Sequence, residues 1–376
     1  MTLASISEKV NAGIPLSLDD GVALFREPDL LKLGALANQV RERLHGDRTT
    51  FNRNLHINPT NLCVASCKLC SFSRRSPDQP GAYTLSLSQA WEKLKVRLEA
   101  GDPVTEVHVV GGLNDSLPFD YYLELVAGLK QLQPTIHIKA FSAVEIVHFH
   151  KLFQLDVGEV LRRLVAAGLD SLPGGGAEIF APRVRQRICP NKCDANEWLD
   201  VHRSAHQMGL RSNCTMLYGT IETVEERVDH LLRLRALQDA TGGFQAFIPL
   251  AFHPDNNPLS HIPAPSAVDD LRVCAVARLV LHDIPHIKAY WVSLGIKTAQ
   301  TALWFGADDL DGTVQEEKIY HWAGSDAPQA LAPAEIVRLI CAAGRTPVER
   351  DTLYNVVAEG EALRAGDEDT PVGALR

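Results

Sequence analysis

His56-Ile57-Asn58-Pro59-Thr60-Asn61-Leu62-Cys63-Val64-Ala65-Ser66-Cys67-Lys68-Leu69-Cys70 joins a short strand pattern, Asn54 to Asn58, to a Pro59-Thr60-Asn61 turn and then to three cysteines spaced C-x3-C-x2-C. Three thiolates from one loop are one fewer than a closed zinc site or a fully ligated cubane needs. A three-thiolate iron–sulfur cluster therefore keeps one iron open to an outside ligand. Two plainer readings compete with it. The trio could be part of a zinc site completed by His56 or a distant cysteine, although zinc ribbons bring a second C-x2-C and none is present. The cysteines could also be small buried apolar residues. The other five, Cys189, Cys193, Cys214, Cys274 and Cys341, are scattered, and only Cys189 and Cys193 are close. The spacing directly after a strand favours the open cluster.

Working outward, the chain reads as alternating strands and helices. Candidate strands are Asn54 to Asn58, Glu106 to Val110, Ile136 to Phe141, Leu169 to Leu172, Arg211 to Leu217, Gln245 to Ala251 and His286 to Val292, with a weaker eighth near Asp309 to Val314. Helical patterns fall between them: Ser88 to Ala100, Phe119 to Gln133, Val157 to Ala167, Ala195 to Met208, Val224 to Ala240 and Ala267 to His282, with Ile296 to Phe305 after the seventh strand. Several strands are apolar throughout, as in a parallel sheet covered on both faces. Seven or eight such units predict an α/β fold, a (β/α)8 barrel of the TIM type. A doubly wound open sheet would want fewer units and a G-x-G-x-x-G after the first strand, which is absent. Helices at Ser17 to Glu27 and Asp29 to Leu44, with Asp29 as N-cap and Gly46 as stop, form an N-terminal extension. The expected organisation is 1–48 helical extension, 49–320 barrel, and 321–376 helical segment with a polar tail.

Composition bounds the class. The chain has 376 residues, 45% hydrophobic and 22% charged, ordinary for a globular enzyme. A net charge of −9 argues against nucleic acid as the main partner. No apolar run approaches the length of a membrane span, and nothing at the start reads as a signal peptide. Eight cysteines in that setting point to a reducing compartment, by default the cytoplasm.

In such barrels the active site is built from the loops at the carboxyl ends of the strands. Collected there are Cys63, Cys67 and Cys70; Gly111 and Gly112; Ser142 and Glu145; Gly174 to Gly176 with Glu178; Gly219, Thr220 and Glu222; His253 and Asn256; and Ser293 and Gly295. Gly111-Gly112 could make a tight turn or let a ligand approach bare backbone. Three consecutive glycines, with Gly175 at their centre, favour close ligand approach. Glu145 and Glu178 could cap helices, or hold ribose hydroxyls or an ammonium. Glu222 is equally ambiguous. His202 and His206 are four apart, but Arg203 stands where H-E-x-x-H has its Glu, so they read as surface or packing residues. Arg183, Arg185 and Arg187 could bind a carboxylate, though a solvated face is the common outcome.

The cysteine loop followed by Phe72 resembles the cluster motif of radical S-adenosylmethionine (SAM) enzymes. His56 to Cys63, Cys67 to Phe72, Lys139-Ala140-Phe141-Ser142-Ala143-Val144-Glu145-Ile146, Leu172 to Phe180 and Met216-Leu217-Tyr218-Gly219 resemble the menaquinone futalosine-pathway branch, nearest its aminofutalosine-forming members, over roughly residues 50 to 360. The sister groups, the dehypoxanthine futalosine cyclases and the deazaflavin-forming synthase subunits, share the cysteine and glycine-rich loops. The resemblance implies a [4Fe-4S] cluster on Cys63, Cys67 and Cys70 with SAM at its open iron. It implies reductive cleavage of SAM, addition of the 5′-deoxyadenosyl radical to 3-[(1-carboxyvinyl)oxy]benzoate, aryl migration and loss of the carboxyl carbon. A one-electron donor such as flavodoxin or ferredoxin is the implied partner. Arg185 and Lys139 are candidates for the substrate carboxylates. The chain departs from a common superfamily pattern where Leu113, not Glu, follows Gly111-Gly112. A non-catalytic zinc or electron-transfer protein is the reading from another class, and it would want a fourth cysteine.

Overall fold

The computed structural model describes residues 2–364; the polar tail expected after Glu359 lies outside them from residue 365 onward. Its main sheet has seven parallel strands in chain order: β2 (Asn54–Ile57), β3 (Glu106–Val109), β4 (His137–Ala140), β5 (Ser171–Leu172), β6 (Arg211–Tyr218), β7 (Phe244–Ala251) and β8 (His286–Ile287). Each is followed by one or two helices that cover the outside of the sheet. Capping boxes, Ser86 with Gln89, Ser142 with Glu145, Asp194 with Glu197, Thr223 with Glu226 and Ser266 with Asp269, start five of these helices.

The expected eighth strand is present as β9 (Asp309–Gly312), and its segment closes the ring. Lys288 bridges Asp309 and Leu55 bridges Gln315, with the His56 amide donating to the Gln315 carbonyl at 2.8 Å. Its signal is weak for a physical reason. Asp311, Val314 and Glu316 all adopt positive φ, so the segment cannot keep a regular strand. β9 also belongs to a second, four-stranded sheet with β1 (Arg48–Asn52), β10 (Thr346–Arg350) and β11 (Val356–Glu359), in the order β11-β10-β1-β9. The region from 321 is thus not helical alone: besides the helix Pro333–Ala342 it carries β10 and β11. The seventh expected strand is shorter than its pattern, because Trp291–Leu294 turns into a helix.

Three helices precede the barrel: Leu3–Asn11, which the sequence reading did not anticipate, Leu18–Arg26 and Leu30–His45. Asp29 caps the third and Gly46, at φ +62°, ends it. The second and third pack on the barrel helices Val224–Thr241 and Ala267–Val280. No helix among the described residues is long and apolar enough to cross a membrane.

The strands are not apolar throughout. Asn54-Leu55-His56-Ile57, Glu106-Val107-His108-Val109 and His137-Ile138-Lys139-Ala140 alternate, and parallel register aligns His56, His108 and Lys139. Leu55, Ile57, Val107, Val109 and Ile138 are fully buried in the hydrophobic core. The polar members fall on the opposite, lumenal face. A lumen lined with His, Lys, Glu and Asn is not filler for a packed core.

Candidate active site

A cavity of about 290 Å³ opens at the carboxyl ends of the strands, and Cys63, Cys67 and Cys70 all line it. Their loop is pinned from several sides. The Cys63 amide donates to the Arg74 carbonyl at 2.9 Å, the Val64 amide to Leu113 at 2.9 Å, and the Lys68 amide to Ile188 at 2.7 Å. The Arg75 guanidinium donates to the Val64 carbonyl at 2.7 Å. Burial raises the Cys63 thiol and pushes Cys67 up to about 12, with the nearby Lys192 ammonium opposing the Cys67 shift.

The spacing of the thiols does not favour the zinc reading. A tetrahedral zinc needs its sulfurs about 3.8 Å apart, given Zn–S near 2.3 Å. Among the described residues, the His, Cys, Asp and Glu groups with three ligand atoms mutually within 4.8 Å are His45–His286–Asp308 and Asp239–His282–Asp283; the cysteine trio is not one of them. The three cysteines line one cavity without the mutual approach that a shared zinc ion imposes.

The glycine loops divide by what a side chain would meet. At Gly112 a Cβ would lie 2.2 Å from the Leu62 carbonyl oxygen, and at Gly111 3.1 Å from that of Thr60. Neither has a positive φ. These two glycines let the cysteine loop lie against the loop after β3, a reason distinct from both a turn and a ligand. At Gly174 a Cβ would strike Cys214 Cα at 2.7 Å, and Gly176 sits at φ +85°. Gly175 alone of the three meets open space, with Ser142 Cβ at 4.0 Å. It is the position where absence of a side chain leaves room in the cavity.

Ser142 and Glu145 line the cavity and also cap the helix Ala143–Phe153. Glu145 Oε2 accepts from the Ser142 amide and hydroxyl, each at 2.7 Å, and Oε1 from the Gly111 amide at 3.0 Å. Burial raises this carboxyl to about 7 against those hydrogen bonds. Glu178, at φ +47°, is ion-paired with Lys192, another cavity residue. Burial would lower the Lys192 ammonium, yet Cys67, Glu178 and Cys189 hold it well above its ordinary value. Lys192 escaped the sequence reading, because only the fold brings it beside the Cys67 loop.

Other candidates are placed elsewhere. The Arg185 guanidinium is buried and donates to the Ala177 and Cys193 carbonyls, so it braces the β5 loop instead of facing substrate. Arg183 pairs with Glu226. Lys139 pairs with Glu106 at 2.8 Å, both side chains almost fully buried. Burial alone would raise Glu106, but the ammonium groups of Lys139 and Lys288 hold it well below the usual carboxylate range. Neither Arg185 nor Lys139 is therefore free to meet a substrate carboxylate, contrary to expectation. Replacing Lys139 by Ala strands a buried carboxylate, and the expected cost is about 3–5 kcal/mol of unfolding free energy. Urea denaturation measures it; an unchanged midpoint would contradict the structural role. His202 and His206 are buried and share the Ser212 hydroxyl at 2.8 Å each, as packing residues. Glu222 accepts from the Gly219 and Thr220 amides and pairs with Arg227. His253 lines the cavity and donates to the Ser293 carbonyl at 2.8 Å, whereas Asn256 lies in an adjoining surface recess with Trp322.

The lumen contributes residues that loop-based reading missed. His108, Asn213, Thr215, Tyr290 and Tyr320 line the cavity with His56. The available signal was the polar half of each strand's alternation.

Comparison with known proteins places this geometry. Residues 57–234 match the family pattern of the radical SAM superfamily, and residues 241–363 match the CofH/MqnC C-terminal region. The chain is 48% identical to the aminodeoxyfutalosine synthase of Thermus thermophilus, covering 96% of this chain and 98% of that one. It is 42% identical to the 5-amino-6-(D-ribitylamino)uracil–L-tyrosine 4-hydroxyphenyl transferase of Methanopyrus kandleri, covering 94% and 97%. The crystal structure of methylornithine synthase superposes with a TM-score of 0.72 over 91% of this chain and 97% of that one, at 18% identity, which concerns the fold alone.

Proposed function

The chain belongs to the radical SAM superfamily and is a radical SAM enzyme of transferase type; from that premise we propose that it joins the 5′-deoxyadenosyl group of SAM to 3-[(1-carboxyvinyl)oxy]benzoate, with aryl migration and loss of the carboxyl carbon, giving 6-amino-6-deoxyfutalosine. The observation that carries the reading is the convergence of Cys63, Cys67, Cys70 and the open Gly175 on one cavity, in a chain matched nearly end to end by an aminodeoxyfutalosine synthase.

Cys63, Cys67 and Cys70 would hold a [4Fe-4S] cluster. With SAM at its open iron, and one electron from a flavodoxin- or ferredoxin-type donor, the cluster would supply the 5′-deoxyadenosyl radical. The chain's own part is placement and shielding. Gly175 keeps a side chain out of the SAM end, where Ser142, Glu145 and Glu178 line the cavity, and Gly111 and Gly112 let the cysteine loop seat against the loop after β3. Val110, Leu217, Ile248 and Leu250 form apolar walls that suit an aromatic ring and exclude water. Phe72, packed edge-on to Tyr83 and Trp322, backs the cysteine loop.

The test is an anaerobic product assay. Reduced, cluster-loaded protein given SAM and 3-[(1-carboxyvinyl)oxy]benzoate is expected to yield aminofutalosine by mass spectrometry. The relatives at 42% identity motivate a parallel reaction with tyrosine and 5-amino-6-(D-ribitylamino)uracil; product from that pair alone would replace the proposal. Free 5′-deoxyadenosine without an adduct would point to hydrogen abstraction, as in the cyclase group.

A further inference from the structure

The loop that carries Cys63, Cys67 and Cys70 is a thin wall between the cavity and solvent. The three cysteines line the cavity, whereas Val64, 45% exposed, and Lys68, also exposed, are interleaved with them on the outer side. The cavity side of a cluster on these thiolates belongs to SAM and substrate, so an electron bound for it crosses this wall from outside.

The wall is basic in a chain whose net charge is −9. Residues 63–80 hold Lys68, Arg74 and Arg75 against one carboxylate, Asp78. Residues 181–193 hold Arg183, Arg185, Arg187 and Lys192 against none. The two segments meet where the Lys68 amide donates to the Ile188 carbonyl at 2.7 Å. Several of these cations are engaged: Arg183 with Glu226, Arg185 with two backbone carbonyls, Lys192 with Glu178, and Arg74 with its own loop and the Trp322 ring. Asp194, just beyond the second segment, accepts from the Asn196 and Glu197 amides. Lys68, Arg75 and Arg187 are exposed, and among the described residues none of them pairs with a carboxylate. Arg75 reaches the Val64 carbonyl at 2.7 Å, so the three cations surround the exposed Val64 and the turn between Cys63 and Cys67.

We propose that Lys68, Arg75 and Arg187, grouped around Val64, form the docking face for a small acidic carrier protein that delivers single electrons. The inference rests on the cluster reading above, since the carrier loses the one electron that the cluster gains. An acidic protein is repelled at long range by a chain of net charge −9, except where the sign reverses locally. A basic patch confined to the outer side of the cysteine loop therefore both attracts such a carrier and turns its charged face toward the thiolates. Val64 gives the centre of the patch an apolar contact.

Binding is measured first, without electron flow. Oxidised, cluster-loaded protein is titrated anaerobically at low ionic strength with an oxidised acidic flavodoxin, and the dissociation constant is read by calorimetry. The double variant Lys68→Glu with Arg187→Glu is expected to bind about tenfold more weakly or worse, because two attractive contacts become repulsive. Added salt should bring wild-type affinity down toward that of the variant, since exposed charges are screened beyond about 10 Å at 0.1 M. Arg75 is kept, because its guanidinium also holds the Val64 carbonyl. Arg43→Glu makes the same kind of charge change on the helix Leu30–His45, near the amino end of β8 where His45 meets Pro285, and should bind as wild type does. Methionine release from SAM then reports electron delivery. With reduced flavodoxin the double variant should show a raised KM for the carrier at an unchanged limiting rate, and with excess dithionite it should match wild type. Wild-type affinity and salt dependence in the double variant overturn the inference. So does a lowered limiting rate at unchanged affinity, which would place the effect of the charges on the cluster itself. Methionine release without aminofutalosine would overturn the proposed reaction and leave the docking face standing, whereas wild-type protein that released none with either reductant would overturn both.

Discussion

Cys67→Ala is expected to lower product formation below about one thousandth of wild type, some 4 kcal/mol of barrier, and to leave the protein without its full iron complement after anaerobic reconstitution. Two remaining thiolates cannot hold a cubane with a single open corner, and among the described residues no other cysteine lines the cavity. Cys189 and Cys193 are buried and absent from the cavity wall, as are Cys214 and Cys274. The change removes one sulfur from a loop fixed by backbone hydrogen bonds of Cys63, Val64 and Lys68, none of which involves the thiol. The fold should therefore survive, and the melting temperature of the iron-free protein should move little. Cys341→Ala, at the end of the helix Pro333–Ala342 and outside the cavity, is the matched control and should keep both iron and turnover. Wild-type turnover in Cys67→Ala would remove the cluster assignment.

The sequence made this site legible where its chemistry is local. Three cysteines within eight residues and a Gly-Gly-Gly run announce themselves without tertiary information, and successive strand–helix patterns place both at one end of a barrel. What stayed hidden depends on partners far apart in sequence. β1 reads as a polar stretch, Arg-Thr-Thr-Phe-Asn, and becomes a strand only by pairing with β10 some three hundred residues later. Lys139 and Arg185 looked free for a substrate, since nothing adjacent neutralises them. Glu106 reaches Lys139 from the neighbouring strand, and the Ala177 and Cys193 carbonyls take up Arg185. Glu145 met its capping reading, forming with Ser142 a helix cap whose carboxylate also ties down the Gly111 loop. The lumenal His56, His108 and Asn213 were obscured by treating the strands as apolar runs; the period-two alternation was present in the letters.

Gly112→Ala carries the second large expected effect, and it separates loop geometry from cluster ligation. An added Cβ would sit 2.2 Å from the Leu62 carbonyl oxygen, 2.8 Å from the Leu62 carbonyl carbon and 3.1 Å from that of Asn61. All three are backbone atoms and cannot swing aside as a side chain would. The contact is clamped on both flanks: the Gly112 amide donates to the Thr60 carbonyl at 2.8 Å and the Val64 amide to Leu113 at 2.9 Å. Relief to ordinary contact thus requires a shift of about 1 Å between the β3 loop and the segment that carries Cys63, while Cys67 and Cys70 stay tied to the Ile188 side. Overpacking of this kind costs about 1–3 kcal/mol of stability. Its larger consequence is misplacement of the reacting groups, which at about 1 Å lowers rates by about a hundredfold. We expect kcat/KM near one hundredth of wild type with iron still bound and an altered EPR spectrum. Gly175→Ala is the contrast, since its Cβ meets only open cavity; it should leave the unliganded cluster spectrum unchanged and raise the KM for SAM. If Gly112→Ala turned over at the wild-type rate, the cysteine loop would have to tolerate displacement, and the close approach of the two loops would have no part in positioning the cluster.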